Sequence, residues 1–184
     1  MDLISLNGKA WGRVDKRAFA TDGEIIDLGC LDWLWCKSLI GKRKVIGADP
    51  LEKHIPNKFV LYKGLVCAYS GKIMMSNART HSSVMSNRNL VSCNALSFQA
   101  FIEKFNIKKI NVLKINIEGG EYSLIISLTK HHVDMIDQIA VSFHDFKGGY
   151  FLPEMRESCL HYLSHWYDII SIFEQCRWYL CLKK

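Results

Sequence analysis

Lys114-Ile115-Asn116-Ile117-Glu118-Gly119-Gly120-Glu121 is the stretch on which the fold of this chain turns. It follows Ile110-Asn111-Val112-Leu113, a β-branched apolar run, and precedes apolar residues at helical spacing, so it predicts a strand tip, a turn and a helix start. Lys114 stands among apolar neighbours in a strand that a parallel sheet buries on both faces. Its ammonium therefore needs a carboxylate, and Glu118 is one candidate. Gly119-Gly120 would weaken a helix start by roughly 1 kcal/mol each unless close backbone approach requires them. Acidic residues in a first helical turn are favoured by the helix dipole, so Glu121 reads as a cap and Glu118 as a site residue.

Working outward, β-rich apolar runs alternate with amphipathic segments, the pattern of a mostly parallel sheet flanked by helices. Strands are expected at 24–28, 44–48, 58–62, 110–115, 138–143, 168–173 and 178–182, and helices at 31–40, 95–105, 121–131 and 153–166. Only Glu174-Gln175-Cys176-Arg177 separates the last two strands, too short for a parallel crossover, so they are expected to form an antiparallel hairpin. Its aromatics Trp166, Tyr167, Phe173, Trp178 and Tyr179 read as hairpin core, and His131-His132 as a dipole partner or surface pair at a helix end. The polar segment 69–92 breaks the alternation and is expected to face substrate.

The 184 residues, 49% apolar and 23% charged, predict one globular domain over 1–184. No apolar run is long enough to span a bilayer, and Met1-Asp2-Leu3-Ile4 does not open a signal peptide. Seven scattered cysteines without a C-x-x-C pair suggest reduced thiols and a cytoplasmic location rather than a disulfide framework or a zinc site. The formal charge of +6 favours an anionic partner only modestly.

The first strand ends in Asp27-Leu28-Gly29-Cys30, a sharp turn at the carboxyl edge of a sheet where a ligand can meet backbone N–H groups; Asp27 would face the amino-acid end of a cofactor. The second strand closes with Asp49-Pro50, and Asp49 lies 22 positions after Asp27. An acidic residue there is placed to accept hydrogen bonds from ribose hydroxyls. After Gly29 the sequence runs Cys30-Leu31-Asp32-Trp33, without the Gly-x-Gly-x-x-Gly of a nicotinamide site, and no G-x-x-x-x-G-K-[ST] occurs.

Lys114–Glu121 resembles the characteristic Lys-Ile-Asp-x-Glu-Gly-x-Glu of the FkbM methyltransferases. The resemblance extends over roughly residues 22–182, through Asp27-Leu28-Gly29-Cys30, Val45–Pro50, Val66–Gly71, Ser82-Ser83 and Asn94–Phe98. It implies a class I, Rossmann-like methyltransferase fold: a seven-stranded mostly parallel sheet ending in an antiparallel hairpin, with helices on both faces. It further implies an S-adenosylmethionine-dependent O-methyltransferase acting on a hydroxyl of a small molecule, glycan or nucleotide-sugar, with Asp27, Gly29, Cys30, Asp49 and Pro50 binding the cofactor. Two positions depart from the family pattern: Asn116 stands for the usual Asp, and Trp33 for the Gly that often ends the first loop. These departures keep a non-catalytic cofactor-binding relative in view, and the positive charge keeps in view an RNA ribose 2′-O-methyltransferase.

The chemistry is expected at the strand ends, from Asn116, Glu118, His144 and Asp145. His144, with an ordinary pKa near neutrality, is expected to be the general base and Asp145 to orient it. No metal site is predicted, although such a set could hold a divalent cation. The acceptor is expected to be chosen by 69–92 and by Lys147-Gly148-Gly149-Tyr150-Phe151.

Overall fold

The computed structural model describes residues 1–76, 90–145 and 152–184. The expectations placed on 77–89, including Ser82-Ser83, and on 147–151 lie outside them. Twelve strands and four α-helices follow in chain order among the described residues. The main sheet runs β5 (Phe59–Tyr62), β4 (Val45–Ala48), β3 (Glu24–Leu28), β9 (Ile110–Ile115), β10 (Ile136–Ser142), β12 (Trp178–Lys183) and β11 (Tyr167–Phe173). Neighbours from β5 to β10 pair in parallel, whereas β12 is antiparallel to both β10 and β11, so the sheet is mixed. The chain winds outward in one direction from β3 through β4 to β5 and in the other from β9 to β10. The switch between β3 and β9 is where open α/β sheets form their crevice.

Alternate residues of the central strands feed two separate cores. Ile26, Leu28, Leu113 and Ile115 join one, together with residues of all four helices: α1 (Phe98–Lys104), α2 (Glu121–Ser127), α3 (Lys130–Met135) and α4 (Pro153–Ser164). Ile25 and Val112 join the other, which among the described residues no α-helix enters. That face is covered by a small ribbon, β1 (Leu3–Ser5) with β2 (Arg13–Asp15), and by two 3₁₀ turns, Leu31–Trp33 and Lys37–Leu39. Among the described residues the α-helices thus lie on one face, where helices on both faces were expected. The side-chain amide of Gln138 clasps the ribbon, accepting from the Asp15 N–H at 3.0 Å and donating to the Asp15 carbonyl at 2.9 Å.

The predicted helix at 31–40 is absent for a packing reason. Trp33 and Trp35 are both buried, yet on a helix they would point about 200° apart, toward opposite sides. Instead Asp32 and Trp33 take left-handed backbone, φ 57° and 51°, which turns both indoles inward. Trp33 thus occupies a conformation that suits glycine and costs a non-glycine residue about 1 kcal/mol or more. Its ring sits against Gly47, where any Cβ would approach within 2.4 Å, and its indole N–H donates to the His54 carbonyl at 2.8 Å.

The helix expected at 95–105 begins only at Phe98, because Ser97 caps it by accepting from the Ala100 N–H. The residues before it form β8 (Leu90–Ser97), which pairs with β7 (Gly71–Ser76) and β6 (Leu65–Cys67) in a three-stranded sheet. Part of the expected polar loop is therefore strand. The helix expected at 121–131 is broken at Leu128-Thr129, and Thr129 starts α3 with a capping box closed by His132. His132 is thus a buried N-terminal cap, its Nδ1 accepting from the Thr129 N–H at 3.1 Å and its Nε2 facing Gln99 Oε1 at 2.7 Å, and not a C-terminal dipole partner. Thr129→Ala is expected to lower stability by about 1 kcal/mol in a denaturant titration, the usual value of such a cap.

The hairpin aromatics behave as read: Tyr167 and Trp178 are buried, and Trp178 stacks on Trp11 of the N-terminal segment at 5.6 Å between centroids. The six cysteines with described side chains are free thiols, and among the described residues no helix is long and apolar enough to cross a membrane.

Candidate active site

The carboxyl ends of β3, β4 and β9 converge on a cavity of about 280 Å³. Asp27, Gly29, Cys30, Asp49, Pro50, Asn116 and Glu118 all line it, so the five expected cofactor residues and two of the four expected catalytic ones share one space. Lys114 and Trp11 complete part of the wall.

Its floor is a buried ion pair. Lys114 Nζ stands 2.8 Å from Asp27 Oδ1 and donates to the carbonyls of Leu28 at 3.1 Å and Gly29 at 2.6 Å. The partner of Lys114 is thus Asp27 and not Glu118, because the β3–β9 register sets residue 27 directly beside residue 114. Asp27 is fully buried, and its second oxygen accepts from the Cys36 thiol at 3.2 Å. It anchors the floor rather than presenting an open carboxylate to a ligand's amino-acid end. Gly29 has φ 75°, and a Cβ there would lie 1.9 Å from the Asn116 carbonyl oxygen. The glycine is required by strand-tip packing as well as by any ligand. Burial pushes the Cys30 thiol far up, which leaves it a neutral wall residue.

Asp49 is nearly buried at the tip of β4. Its Oδ1 accepts from the N–H groups of Leu51 at 2.8 Å and Glu52 at 3.2 Å, which fixes the carboxylate on the cavity wall. Burial raises its pKa, with the two amides and the Lys114 ammonium working against that rise. Sequence reasoning missed Glu52, whose buried carboxylate accepts from the N–H groups of Asp32 at 2.5 Å and of Lys53 and His54 at 2.7 Å. It locks the first loop to the second, a role that a lone Glu three positions after Asp49 does not announce.

Behind Glu118 lies a second polar group. His144 Nε2 is 3.4 Å from Glu118 Oε1, and Nδ1 is 2.8 Å from Glu121 Oε1, which also accepts from the His144 backbone N–H at 3.0 Å. Glu121 Oε2 accepts from the Gly119 N–H at 2.9 Å. Glu121 is fully buried, so it is the residue that orients His144 and more than a dipole cap. Because a carboxylate only accepts, the Nδ1 position carries its hydrogen toward Glu121. Burial disfavours the imidazolium, but Glu118 and Glu121 outweigh it and carry the His144 pKa up to about 9. At neutral pH this histidine holds its proton.

Asp145 takes no part in that group. Its buried carboxylate is held by Arg156 at 2.5 Å and Arg177 at 2.8 Å, tying α4 to the turn before β12. The expectation that it orients His144 gives way to Glu121. The reason is directional: successive residues leaving β10 point opposite ways, and the second of them meets the two arginines. Among the described residues no three His, Cys, Asp or Glu side chains stand together as a metal set.

A mixed sheet carrying helices, with a polar cavity at the switch between its two halves, is consistent with a methyltransferase fold. The model for the Methyltransferase FkbM domain matches residues 44–176, and the chain belongs to that family. The match begins at β4, so β3 with Asp27 and Gly29 enters the site on geometry alone. No curated protein and no solved structure matches the chain.

Proposed function

We propose that the chain is a class I, Rossmann-like, S-adenosylmethionine-dependent O-methyltransferase, a single cytoplasmic domain that methylates a hydroxyl. The observation that carries this reading is Asp49: a carboxylate at the tip of the second parallel strand, fixed through one oxygen by two backbone amides and lining the same cavity as Glu118, where ribose hydroxyls would meet it. Asp49 and the Gly29 turn would hold S-adenosylmethionine, which when bound would supply the methyl group for the acceptor oxygen.

Glu118 is the proton acceptor of this site, because its carboxylate lines the cavity whereas His144 stands behind it already protonated at neutral pH. His144 positions Glu118, and Glu121 positions His144. Asn116, a neutral amide on the cavity wall, can orient the hydroxyl but cannot take its proton. Holding acceptor and methyl donor in line supplies several kcal/mol by itself, so Glu118 assists a reaction that proximity already favours.

The test is calorimetric titration with S-adenosylmethionine. Wild-type protein should bind, and Asp49→Ala should bind about 10–100-fold more weakly, the loss expected on removing a charged acceptor from two ribose hydroxyls. Wild-type protein without detectable heat at millimolar cofactor would sink the proposal.

A further inference from the structure

A second cavity, of about 660 Å³, lies beside the first. The two share Leu65, Val66 and Ile117, and the second runs along Gly119 and Gly120, the residues that follow Glu118. Its wall continues through Ile73, Tyr122 and Met155, and among the described residues that line it none is charged. At its mouth Ile126 and Met155 are 53% and 39% exposed. Large apolar side chains gathered around an open cavity, and continuous with a polar site, mark a surface meant to be covered by a ligand. Among the described residues this wall offers no charged partner to a phosphate.

We infer that this cavity is the acceptor subsite and that the acceptor carries its hydroxyl on a neutral apolar body, alkyl or aryl, in place of a nucleotide-sugar or an RNA ribose. The inference rests on the methyltransferase reading, since the wall shared by the two cavities is what brings such a hydroxyl to Glu118. The sequence suggested anionic partners through its charge, whereas the described wall of this cavity is apolar.

The test uses the full chain and the neutral fluorophore N-phenyl-1-naphthylamine, displaced by 1-hexanol, 1-octanol and 1-decanol. The probe should bind saturably, and displacement should tighten about fourfold per added methylene, the factor given by ~0.8 kcal/mol for each buried CH₂. Uridine diphosphate glucose should leave the probe in place. Ile126→Asp, at a half-exposed position that folding tolerates, should weaken the probe about tenfold by setting a carboxylate in an apolar wall. Its affinity for S-adenosylmethionine should not change. A probe that does not bind, a series flat with chain length, or displacement by the nucleotide-sugar overturns the inference. A flat alcohol series beside intact cofactor binding overturns this inference alone, whereas absent cofactor binding beside a graded series overturns the methyl-transfer reading and the acceptor role with it.

Discussion

Lys114→Met is expected to lower the stability of the fold by about 3–5 kcal/mol, the cost of leaving one member of a buried ion pair uncompensated. For a chain of this length that corresponds to a fall in Tm of roughly 10 °C. The cause is Asp27, which has no exposed surface and would keep only the Cys36 thiol as a described side-chain partner. The carbonyls of Leu28 and Gly29 would also lose the donor that now caps them at the strand tip. Adding Asp27→Asn should recover much of the loss, because a neutral amide is far cheaper to bury than an unpaired carboxylate. Chemical denaturation of the two single variants and the double variant measures the coupling. A drop below about 1 kcal/mol in the first variant would mean that the pair is solvated in solution and the floor of the site is not dry.

Glu121→Gln should be the next most damaging change, with a signature in pH. His144 in the folded chain keeps its proton up to about pH 9, whereas an unfolded histidine releases it near 6.5. The stability this difference contributes is fully present below pH 6.5, falls as pH rises between 6.5 and 9, and is lost above that. Its size follows from the shift at about 1.4 kcal/mol per unit, on the order of 3 kcal/mol. Wild-type protein should therefore become easier to unfold as pH is raised through that interval. Glu121→Gln removes the carboxylate that accepts from both the ring and the backbone of His144. It should cost about 3 kcal/mol at pH 6 and flatten the decline toward pH 9, leaving only the share owed to Glu118. Denaturation midpoints at pH 6, 7.5 and 9 decide the matter; parallel curves for the two proteins would show that Glu121 does not hold the charge.

Much of this molecule is legible in its sequence. The order of apolar runs located all seven strands of the main sheet within a residue or two, because a strand buried on both faces has to be written in β-branched apolar residues. The brevity of Glu174–Arg177 dictated an antiparallel hairpin at its end. The positions gathered around the 280 Å³ cavity were legible too, since a ligand at a sheet's switch point is met by whatever ends the central strands, and those ends carry Asp27, Asp49 and Glu118.

What sequence could not decide was which partner each polar side chain meets. Lys114 demanded a carboxylate, but the choice of Asp27 over Glu118 depended on the register of β3 against β9. His144 and Asp145 are adjacent in the chain and go to opposite fates, one between two glutamates and the other between two arginines. The 31–40 segment had helical composition, yet two indoles that both had to be buried unwound it into 3₁₀ turns. The pattern of apolar residues fixes which elements form, because burial of area is additive along a strand or helix and can be counted residue by residue. Charges and hydrogen bonds act between specific atoms at about 3 Å, so their pairing exists only once the sheet has set its register, and only the tertiary structure could assign it.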